Sequence, residues 1–262
     1  ELGVQFQLGA NVTEIVVNNG VASQVKYTQN GESKTAEAKV VVASADYHHV
    51  ETKLLAPQYQ SYSAKYWDTR TMAPSCLLYY VGINKQIPQV PHHTLYFDAD
   101  FGLHGKEIYE TKTWPTNPLF YVSRTTATDS TGAPEGFDNL FFLIPVATGL
   151  QGDTEEVRDK YFSQILQRFE QEIGEKIEQN IVYKKSFAQS DFISDYNAFK
   201  GNAYGLANTL LQTAILKPAC KSKKVKNLFY TGQLTVPGPG VPPSLISGEV
   251  VAGEIQKSFP VQ

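Results

Sequence analysis

The run from Asn227 to Gly248 constrains this chain most, because it predicts a strand that passes through glycines and prolines directly into a helix. Leu228–Thr231 is a short apolar stretch of strand-favouring residues. Gly232, Gly238 and Gly240 follow it, and glycines let the backbone come close to a bulky ligand. The run therefore suits an anionic or electron-accepting ligand.

The second half of the run predicts a helix. Pro242 and Pro243 suit its first turn. The positions expected along the helix are Ser244, Leu245, Ile246, Val250, Val251 and Ile255. Its free amides and positive N-terminal end would face the ligand. A surface loop rich in turn formers before a C-terminal helix explains the same residues.

The first section of the chain is rich in predicted strands. Asn19-Gly20 separates Val12–Val17 from Val21–Tyr27, and Asn30-Gly31 precedes Lys34–Lys39. Asn-Gly between alternating apolar residues is the strongest short signal of a β-hairpin. The sequence therefore predicts a three-stranded meander. The wholly apolar run 40–43 that follows predicts a strand buried on both faces.

From Tyr47 to about Lys221 the chain has more aromatic residues and longer connections, which predicts a separate domain. Asp153–Glu156 resembles a capping box and precedes a helical apolar stripe that ends at Ile173. Leu206–Leu216 predicts a second, short helix. Four strands of one mainly antiparallel sheet are predicted for this part: Leu77–Val81, His93–Phe97, Leu119–Ser123 and Leu140–Val146. Ile181–Phe187 predicts a further strand.

Composition excludes several classes of function. The 262 residues are 42% hydrophobic and 19% charged, with a net charge of −3, so a nucleic-acid partner is not expected. Cys76 and Cys220 lie far apart, and the histidines lack metal-ligand spacing, so no disulfide framework and no metal site is predicted. Ser244 and Ser247 lack the glycines of a nucleophile elbow. No apolar run approaches the roughly 20 residues of a membrane-spanning helix.

The glycine and proline run and the segments before it resemble the bacterial-type phytoene desaturases, the FAD-dependent carotenoid desaturase and isomerase family. The resemblance covers nearly the whole chain. The segments that carry it upstream are His92–Phe97, Tyr121-Val122, Thr128-Asp129, Ala133–Gly136, Asp191-Phe192, Tyr196–Leu206, Gln212 and Pro218.

The resemblance implies an α+β arrangement within an α/β FAD-binding oxidoreductase. Residues 1–46 and 222–262 would be the C-terminal parts of a discontinuous FAD-binding domain, and 47–221 the substrate-binding domain. The chain opens at Glu1 without methionine and lacks the Gly-x-Gly-x-x-Gly fingerprint with which the family begins. We therefore expect a C-terminal fragment that lacks the N-terminal portion of the same protein and is inactive alone.

The implied reaction is an oxidation of CH–CH bonds in a long apolar polyene. Hydride would pass to the flavin N5 while a proton leaves the neighbouring carbon, so the cofactor carries the difficult step. A tunnel lined with aromatic and aliphatic groups would hold the polyene, and the 15 Tyr and 14 Phe are compatible with one. Phytoene is the favoured substrate; hydroxycarotenoid 3,4-desaturation and carotene isomerisation are close alternatives. A flavin amine oxidase and a non-catalytic lipid- or protein-binding module are the more distant ones.

The resemblance also implies cofactor-binding residues. Gly232 and Gln233 match positions whose backbone approaches the FAD pyrophosphate and ribityl chain. Gly240, Val241 and Pro242 match the turn that faces the flavin pyrimidine edge. Val12 matches a residue against the adenine, although core packing explains that residue equally.

One departure from the family concerns catalysis. Many relatives carry His where this chain has Val236, so no catalytic base is assigned. Asn202 and Tyr204 are expected near flavin and substrate, and a tight turn between strand and helix explains the same segment.

The family further implies peripheral attachment to the membrane from the cytoplasmic side. Tyr66-Trp67 to Tyr79-Tyr80 is a candidate for the apolar mouth of the tunnel. A buried strand and its approach explain these residues as well. The oligomeric state stays open.

Overall fold

The computed structural model describes residues 3–260. The strands are β1 (Asn11–Asn18), β2 (Val21–Gln29), β3 (Glu32–Glu37), β4 (Val41–Ala43), β5 (Ser75–Ile83), β6 (His93–Tyr96), β7 (Phe120–Ser123), β8 (Asp138–Val146), β9 (Ile181–Phe187) and β10 (Leu228–Tyr230). The helices are α1 (Tyr47–His49), which continues as a π turn over Val50–Leu54, α2 (Ala64–Asp68), α3 (Phe101–Lys106), α4 (Glu155–Ile173), α5 (Gln189–Tyr196) and α6 (Val241–Ser258).

The described chain forms two compact units. The first, here called the motif unit, comprises the residues up to Met72, Tyr196–Phe199 and the residues from Tyr204 onward. The second, the sheet unit, comprises Ala73–Asp195 and Lys200–Ala203. Residues 47–72, 196–199 and 204–221 thus belong with the two ends of the chain, whereas the predicted boundaries lay at 46 and 222. The assignment of cofactor and substrate binding to the two parts stays a prediction.

The motif unit contains the predicted meander, in which β1, β2 and β3 pair antiparallel in that order. Asn19 and Gly20 have φ of 51° and 75°, and Asn30 and Gly31 have φ of 54° and 79°. Left-handed backbone at both central residues matches the right-handed twist of the flanking strands. The two hairpin predictions are confirmed.

A second sheet in the motif unit pairs β4 with β10 in parallel, with Leu228 opposite Val41 and Tyr230 opposite Ala43. The strand at 40–43 was expected to be buried on both faces. Instead Val42 is 44% exposed, because nothing among residues 3–260 packs over the side of the sheet to which it points.

Asn227 joins the meander to the parallel sheet. Its Oδ1 accepts from the Ala22 amide at 2.8 Å, and its Nδ2 donates to the carbonyls of Ala22 at 2.7 Å and Lys39 at 2.8 Å. The side chain is buried, so these bonds replace water that it loses on folding. The residue immediately before β10 thus fixes where that strand starts.

The core of the motif unit is aromatic. Tyr47 stacks on Tyr230 with ring centroids 3.7 Å apart, and the Tyr230 hydroxyl donates to the buried carboxylate of Glu51 at 2.6 Å. Trp67 packs beside Tyr47 and is fully buried. Its burial removes Trp67 itself from the predicted apolar tunnel mouth, whereas Tyr80 of the same candidate is 42% exposed. Tyr79, from the other half of that candidate, is likewise buried, in β5 of the sheet unit.

The sheet unit is built on five antiparallel strands in the order β6-β7-β8-β5-β9, as predicted for its mainly antiparallel sheet. α4 begins at the predicted cap, where the Val157 amide donates to the Thr154 Oγ1 at 3.4 Å, and it ends at left-handed Gly174. One face of the sheet shares a hydrophobic core with α4, through residues such as Phe142 and Phe169. The opposite face, which carries Tyr80, Tyr121 and Phe141, is here called the open face.

The helix predicted over Leu206–Leu216 is wrong. The structure has a single 3₁₀ turn over Ala214–Leu216 and a lone bridge between Met72 and Leu206. The Gln212 side chain pairs with the backbone of Thr71, accepting from its amide at 2.9 Å and donating to its carbonyl at 2.8 Å. The pairing with Thr71 ties Gln212 to a distant part of the chain, and residues 210–216 form turns and the 3₁₀ turn instead of a helix, so helical periodicity misled the prediction.

Candidate cofactor and substrate sites

The glycine-rich segment follows the carboxyl ends of two parallel strands. The Thr231 amide, just after β10, donates to the Ala43 carbonyl at the end of β4 at 3.0 Å. The Ser44 and Thr231 hydroxyls are 2.8 Å apart. Ligands of open parallel sheets bind outside the carboxyl ends of the strands. The local topology therefore makes this edge a ligand-binding position.

The segment Gly232–Gly240, here called the glycine turn, needs its glycines. Gly232, Gly238 and Gly240 have φ of 101°, 133° and 111°, a region that other residues rarely adopt. Thr235 braces the turn, because its Oγ1 donates to the Gly232 carbonyl at 2.9 Å and its amide donates to the same oxygen at 3.1 Å. The turn thus exposes backbone without side chains in the way.

α6 begins at Gly240 with no side chain capping its N-terminus. Pro242 and Pro243 lie in its first turn and have no amide hydrogen, so Val241 has the one amide hydrogen among the first three residues of α6. Ser247 fastens the helix to the glycine turn, since its Oγ accepts from the Gly232 amide at 2.9 Å. An uncapped 18-residue helix directs partial positive charge at whatever lies before Val241.

Gly205 packs directly on this turn from within the motif unit. A Cβ on Gly205 would lie 2.9 Å from the Gln233 carbonyl oxygen, and its φ is 68°. Both facts exclude a side chain. The Gly201–Gly205 segment therefore needs its last glycine to support the backbone of Gln233.

The structure brings five of the predicted cofactor residues together. Gly232, Gln233, Gly240, Val241 and Pro242 all lie in or beside the glycine turn. Their contact with FAD stays a prediction.

The remaining predicted residues lie elsewhere. Val12 is in β1 of the motif unit, where it packs against the hydrophobic core. Tyr204 is partly exposed in the same unit, whereas Asn202 is buried in the sheet unit. Their proximity to flavin and substrate stays a prediction.

Lys217 is a residue that the sequence interpretation missed. Its side chain is 4% exposed, and its Nζ has no hydrogen-bond partner among the described residues. A Cβ on Gly238 would lie 3.5 Å from both Cε and Nζ of Lys217. Burial lowers the pKa of this ammonium. The available signal was a lysine between the apolar pair Ile215-Leu216 and Pro218.

An unpaired buried ammonium is costly, so it indicates that an anionic group completes the site. The glycine turn, the uncapped helix and Lys217 are all suited to negative charge. Together they suit the diphosphate of a flavin dinucleotide and the negative charge that its electron-accepting ring gains on reduction.

A second candidate site is a cavity of about 520 Å³ in the sheet unit, against the open face. Its volume lies within the range of small-molecule sites, roughly 300–1,000 Å³. Its lining is mainly aromatic and aliphatic, with Ser123, Thr125 and Asn139 as the polar members. The other lining residues are Tyr80, Val81, Gly82, Tyr121, Leu140, Phe141 and Tyr183. This lining suits an apolar ligand with few polar atoms.

No protein-family model matches the chain. A carotenoid 3,4-desaturase of Haloarcula japonica is 40% identical over 252 residues, which are 96% of this chain and 50% of the relative. A zeta-carotene-forming phytoene desaturase of Myxococcus xanthus is 32% identical over 256 residues, 96% of this chain and 48% of the relative. The chain thus spans about half the length of these curated relatives. The resemblance to carotenoid desaturases that the motifs indicated is confirmed.

Solved structures share the fold at low identity. An oxidoreductase of Methanosarcina mazei has a TM-score of 0.57 at 13% identity, over 94% of this chain and 49% of that one. A putative protoporphyrinogen oxidase of Exiguobacterium sp. 255-15 has a TM-score of 0.51 at 11% identity, over 95% and 46%. The predicted fold class is confirmed. No helix formed by residues 3–260 combines the length and the apolar composition that crossing a bilayer requires.

Proposed function

We propose that this chain is part of an FAD-dependent carotenoid desaturase, an oxidoreductase that acts on CH–CH bonds of a polyene. The observation that carries the proposal is the glycine turn, which connects the parallel strand pair β4 and β10 to the uncapped start of α6. The Lys217 ammonium, which has no partner among the described residues, lies beside Gly238 of this turn. This arrangement is one half of a dinucleotide site.

When bound, FAD supplies a two-electron acceptor. The glycine turn admits it at close range, because Gly232, Gly238 and Gly240 carry no side chains. The Val241 amide and the α6 dipole stabilise negative charge near the first turn of the helix. Gln233 would present its backbone to the same ligand, and Gly205 lets the chain pack close to that backbone, since a Cβ there would lie 2.9 Å from the Gln233 carbonyl oxygen.

The residues Gly232–Gly240 that form the glycine turn include no side-chain base. Val236 occupies the position at which many members of the family carry His, and Pro237 and Pro239 flank Gly238. Neither valine nor proline has a titratable group. We therefore propose that the residues of this turn bind and orient the cofactor and exclude water, and we assign proton transfer to none of them.

The proposed substrate is an acyclic carotenoid that lies on the open face of the sheet unit. Tyr80, Tyr121, Phe141 and Tyr183 give that face an aromatic lining, which suits a conjugated hydrocarbon without polar handles. The relatives are named for two reactions. The proposal of 3,4-desaturation is supported by the relative that is 40% identical, and the proposal of phytoene desaturation by the relative that is 32% identical.

Two exposed apolar surfaces support further partners. On α6, Val241 and Leu245 are 77% and 71% exposed, and Val42 in β4 is exposed as well. These apolar side chains support a contact with an N-terminal dinucleotide-binding portion of the same protein.

In the sheet unit, Phe97 and Phe101 are exposed with ring centroids 6.1 Å apart. We propose that this pair makes peripheral contact with the membrane that contains the substrate.

The proposal is tested with the complete polypeptide that contains this chain. The purified protein should be yellow with bound FAD, and cells that accumulate an acyclic polyene and express the protein should convert it to a more conjugated pigment. A colourless protein that binds no added FAD would refute the flavin assignment. If the flavin-loaded protein leaves every offered polyene unchanged and oxidises an amine, the assigned activity becomes that of an amine oxidase instead of a desaturase.

A matched glycine pair sharpens the cofactor test. Gly240→Ala introduces a Cβ at a φ of 111° and 3.3 Å from Pro243 Cδ, whereas a Cβ on Gly248 in the same helix meets nothing within 4 Å. We expect Gly240→Ala to weaken FAD binding about tenfold or more, from roughly 1–3 kcal/mol of backbone strain. Gly248→Ala should leave it unchanged.

A further inference from the structure

Two positive groups meet at one end of the glycine turn. At the other end the Gly232 backbone is bonded within the protein, because its amide donates to Ser247 Oγ at 2.9 Å and its carbonyl accepts from Thr235 Oγ1 at 2.9 Å. Gly238, in contrast, lies beside the Lys217 ammonium, and the uncapped start of α6 follows two residues later. The positive charge is therefore concentrated at the end of the turn that leads into α6.

The backbone that carries Lys217 is fixed in this position. The Ala219 amide donates to Tyr62 Oη at 2.9 Å, and the Ala219 carbonyl accepts from Tyr47 Oη at 3.0 Å. Both tyrosines are buried. The Lys217 amide itself donates to the Ala214 carbonyl at 3.1 Å. The ammonium thus extends from an anchored segment toward the glycine turn.

A dinucleotide offers two negative groups that can meet this ammonium, which is buried without a hydrogen-bond partner among residues 3–260. One is the diphosphate, and the other is the flavin ring after reduction. In dinucleotide-binding folds the diphosphate is held at the N-terminus of the helix that follows a Gly-x-Gly-x-x-Gly fingerprint. The printed sequence lacks that fingerprint, so in the complete protein the diphosphate has its own partner outside the glycine turn. The reduced ring is the anion that remains for Lys217.

The two groups differ in when they carry charge. A hydride brings two electrons and one proton, so its uptake leaves one negative charge on the flavin ring. The diphosphate has the same charge before and after this step. A cation beside the ring therefore stabilises reduced FAD more than oxidised FAD, whereas a cation beside the diphosphate stabilises both forms equally.

We propose that the Lys217 ammonium pairs with the negative charge of the reduced flavin ring and so raises the reduction potential of the bound cofactor. The proposal rests on the proposed function and names the residue that tunes the cofactor of that site. A hydrocarbon CH–CH bond has no polar group that the protein can activate. A more strongly oxidising flavin is the means by which residues of the motif unit favour the reaction.

The test measures the reduction potential of FAD bound to the complete polypeptide, by equilibrium reduction against a reference dye at neutral pH. Lys217→Met removes the charge, and Lys217→Gln removes the charge but keeps a hydrogen-bond donor. We expect both variants to lose about tenfold more affinity for reduced FAD than for oxidised FAD, the size of one charge-assisted hydrogen bond. For a two-electron couple, this factor lowers the potential by about 30 mV.

Lys226→Met is the matched control, because Lys226 is an exposed lysine of the same unit. It should keep the wild-type potential. Thermal melting establishes that each variant is folded, and an excess of protein over FAD ensures that the flavin titrated is bound.

Three outcomes would overturn the proposal. Lys217→Met keeps the wild-type potential, so the ammonium faces a charge that reduction does not change; Lys217→Gln keeps it, so a hydrogen bond suffices; or Lys226→Met lowers it equally, so the effect belongs to net charge. The failure of the proposed function has other signatures. A complete protein that binds no FAD refutes both proposals, whereas FAD-loaded protein that desaturates no polyene refutes the desaturase alone, and its reduction potential still decides the role of Lys217.

Discussion

Replacing Lys217 tests the electrostatics of the glycine turn, because the replacement should have opposite effects on the apoprotein and on the flavin complex. Lys217 is 4% exposed with its Nζ unpartnered. Methionine has nearly the same length and keeps the aliphatic contact with Gly238 while removing the charge. In the apoprotein, Lys217→Met should raise the free energy of unfolding by about 1–3 kcal/mol, the desolvation cost of an unpaired buried polar group.

The sign of the pH dependence follows from the lowered pKa of Lys217. In the unfolded chain the lysine keeps an ordinary pKa of about 10.4. Between the lowered native value and that value, the unfolded chain binds more protons than the native one, so the free energy of unfolding rises with pH. At pH values below the lowered native pKa, the lysine is charged in both states, and the free energy of unfolding is reduced by the full cost of burying that charge. Urea titrations of the apoprotein from neutral to alkaline pH should reveal the rise, and Lys217→Met should abolish it.

The flavin complex should respond in the opposite direction. We expect the Lys217 ammonium to form an ion pair with an anionic group of bound FAD. Lys217→Met removes this ion pair and should weaken FAD binding by about tenfold or more. Lys226→Met, at an exposed lysine of the same unit, is the matched control and should change neither quantity. A variant that destabilises the apoprotein, or that binds FAD as tightly as the parent, would refute the reasoning.

Three further perturbations test the surrounding structure. Asn227→Ala removes three buried hydrogen bonds and should lower the free energy of unfolding by at least about 2 kcal/mol in urea titration; an unchanged midpoint would contradict the role of Asn227 as the joint between the sheets. Gly205→Ala drives a Cβ to 2.9 Å from the Gln233 carbonyl oxygen and should accelerate FAD release measured by fluorescence recovery, at a cost of roughly 1–3 kcal/mol. Phe97→Ser combined with Phe101→Ser should reduce the protein's partition into phospholipid vesicles roughly tenfold or more in a flotation assay; equal flotation would exclude this pair as the membrane contact.

Elements with local signals were predictable from the sequence. The hairpins follow from Asn19-Gly20 and Asn30-Gly31, since two adjacent residues determine a tight turn. α4 follows from the cap at Thr154 together with its apolar spacing. Each signal lies within one segment and needs no knowledge of what that segment packs against.

Elements that depend on distant partners were not predictable in this way. Gln212 pairs with the backbone of Thr71, which lies 141 residues earlier, and its segment forms turns rather than a helix. The pattern of Leu206–Leu216 contains no trace of that partner. The apolar run 40–43 misled the prediction for a different reason, because apolar composition does not say which face of a strand is covered, and Val42 is exposed.

The same distinction separates the two candidate sites. The glycine turn and the start of α6 occupy one continuous stretch of chain, so the type of ligand could be inferred before any fold was known. The cavity is assembled from β5, β7, β8 and β9, and only the strand register, which sets Ser123 opposite Phe141, shows that these residues share one face of the sheet. The ligand type at the glycine turn is therefore indicated locally, whereas the lining of the apolar cavity depends on strand pairing. Substitutions at Gly240 should therefore alter FAD affinity without changing the lining of the cavity.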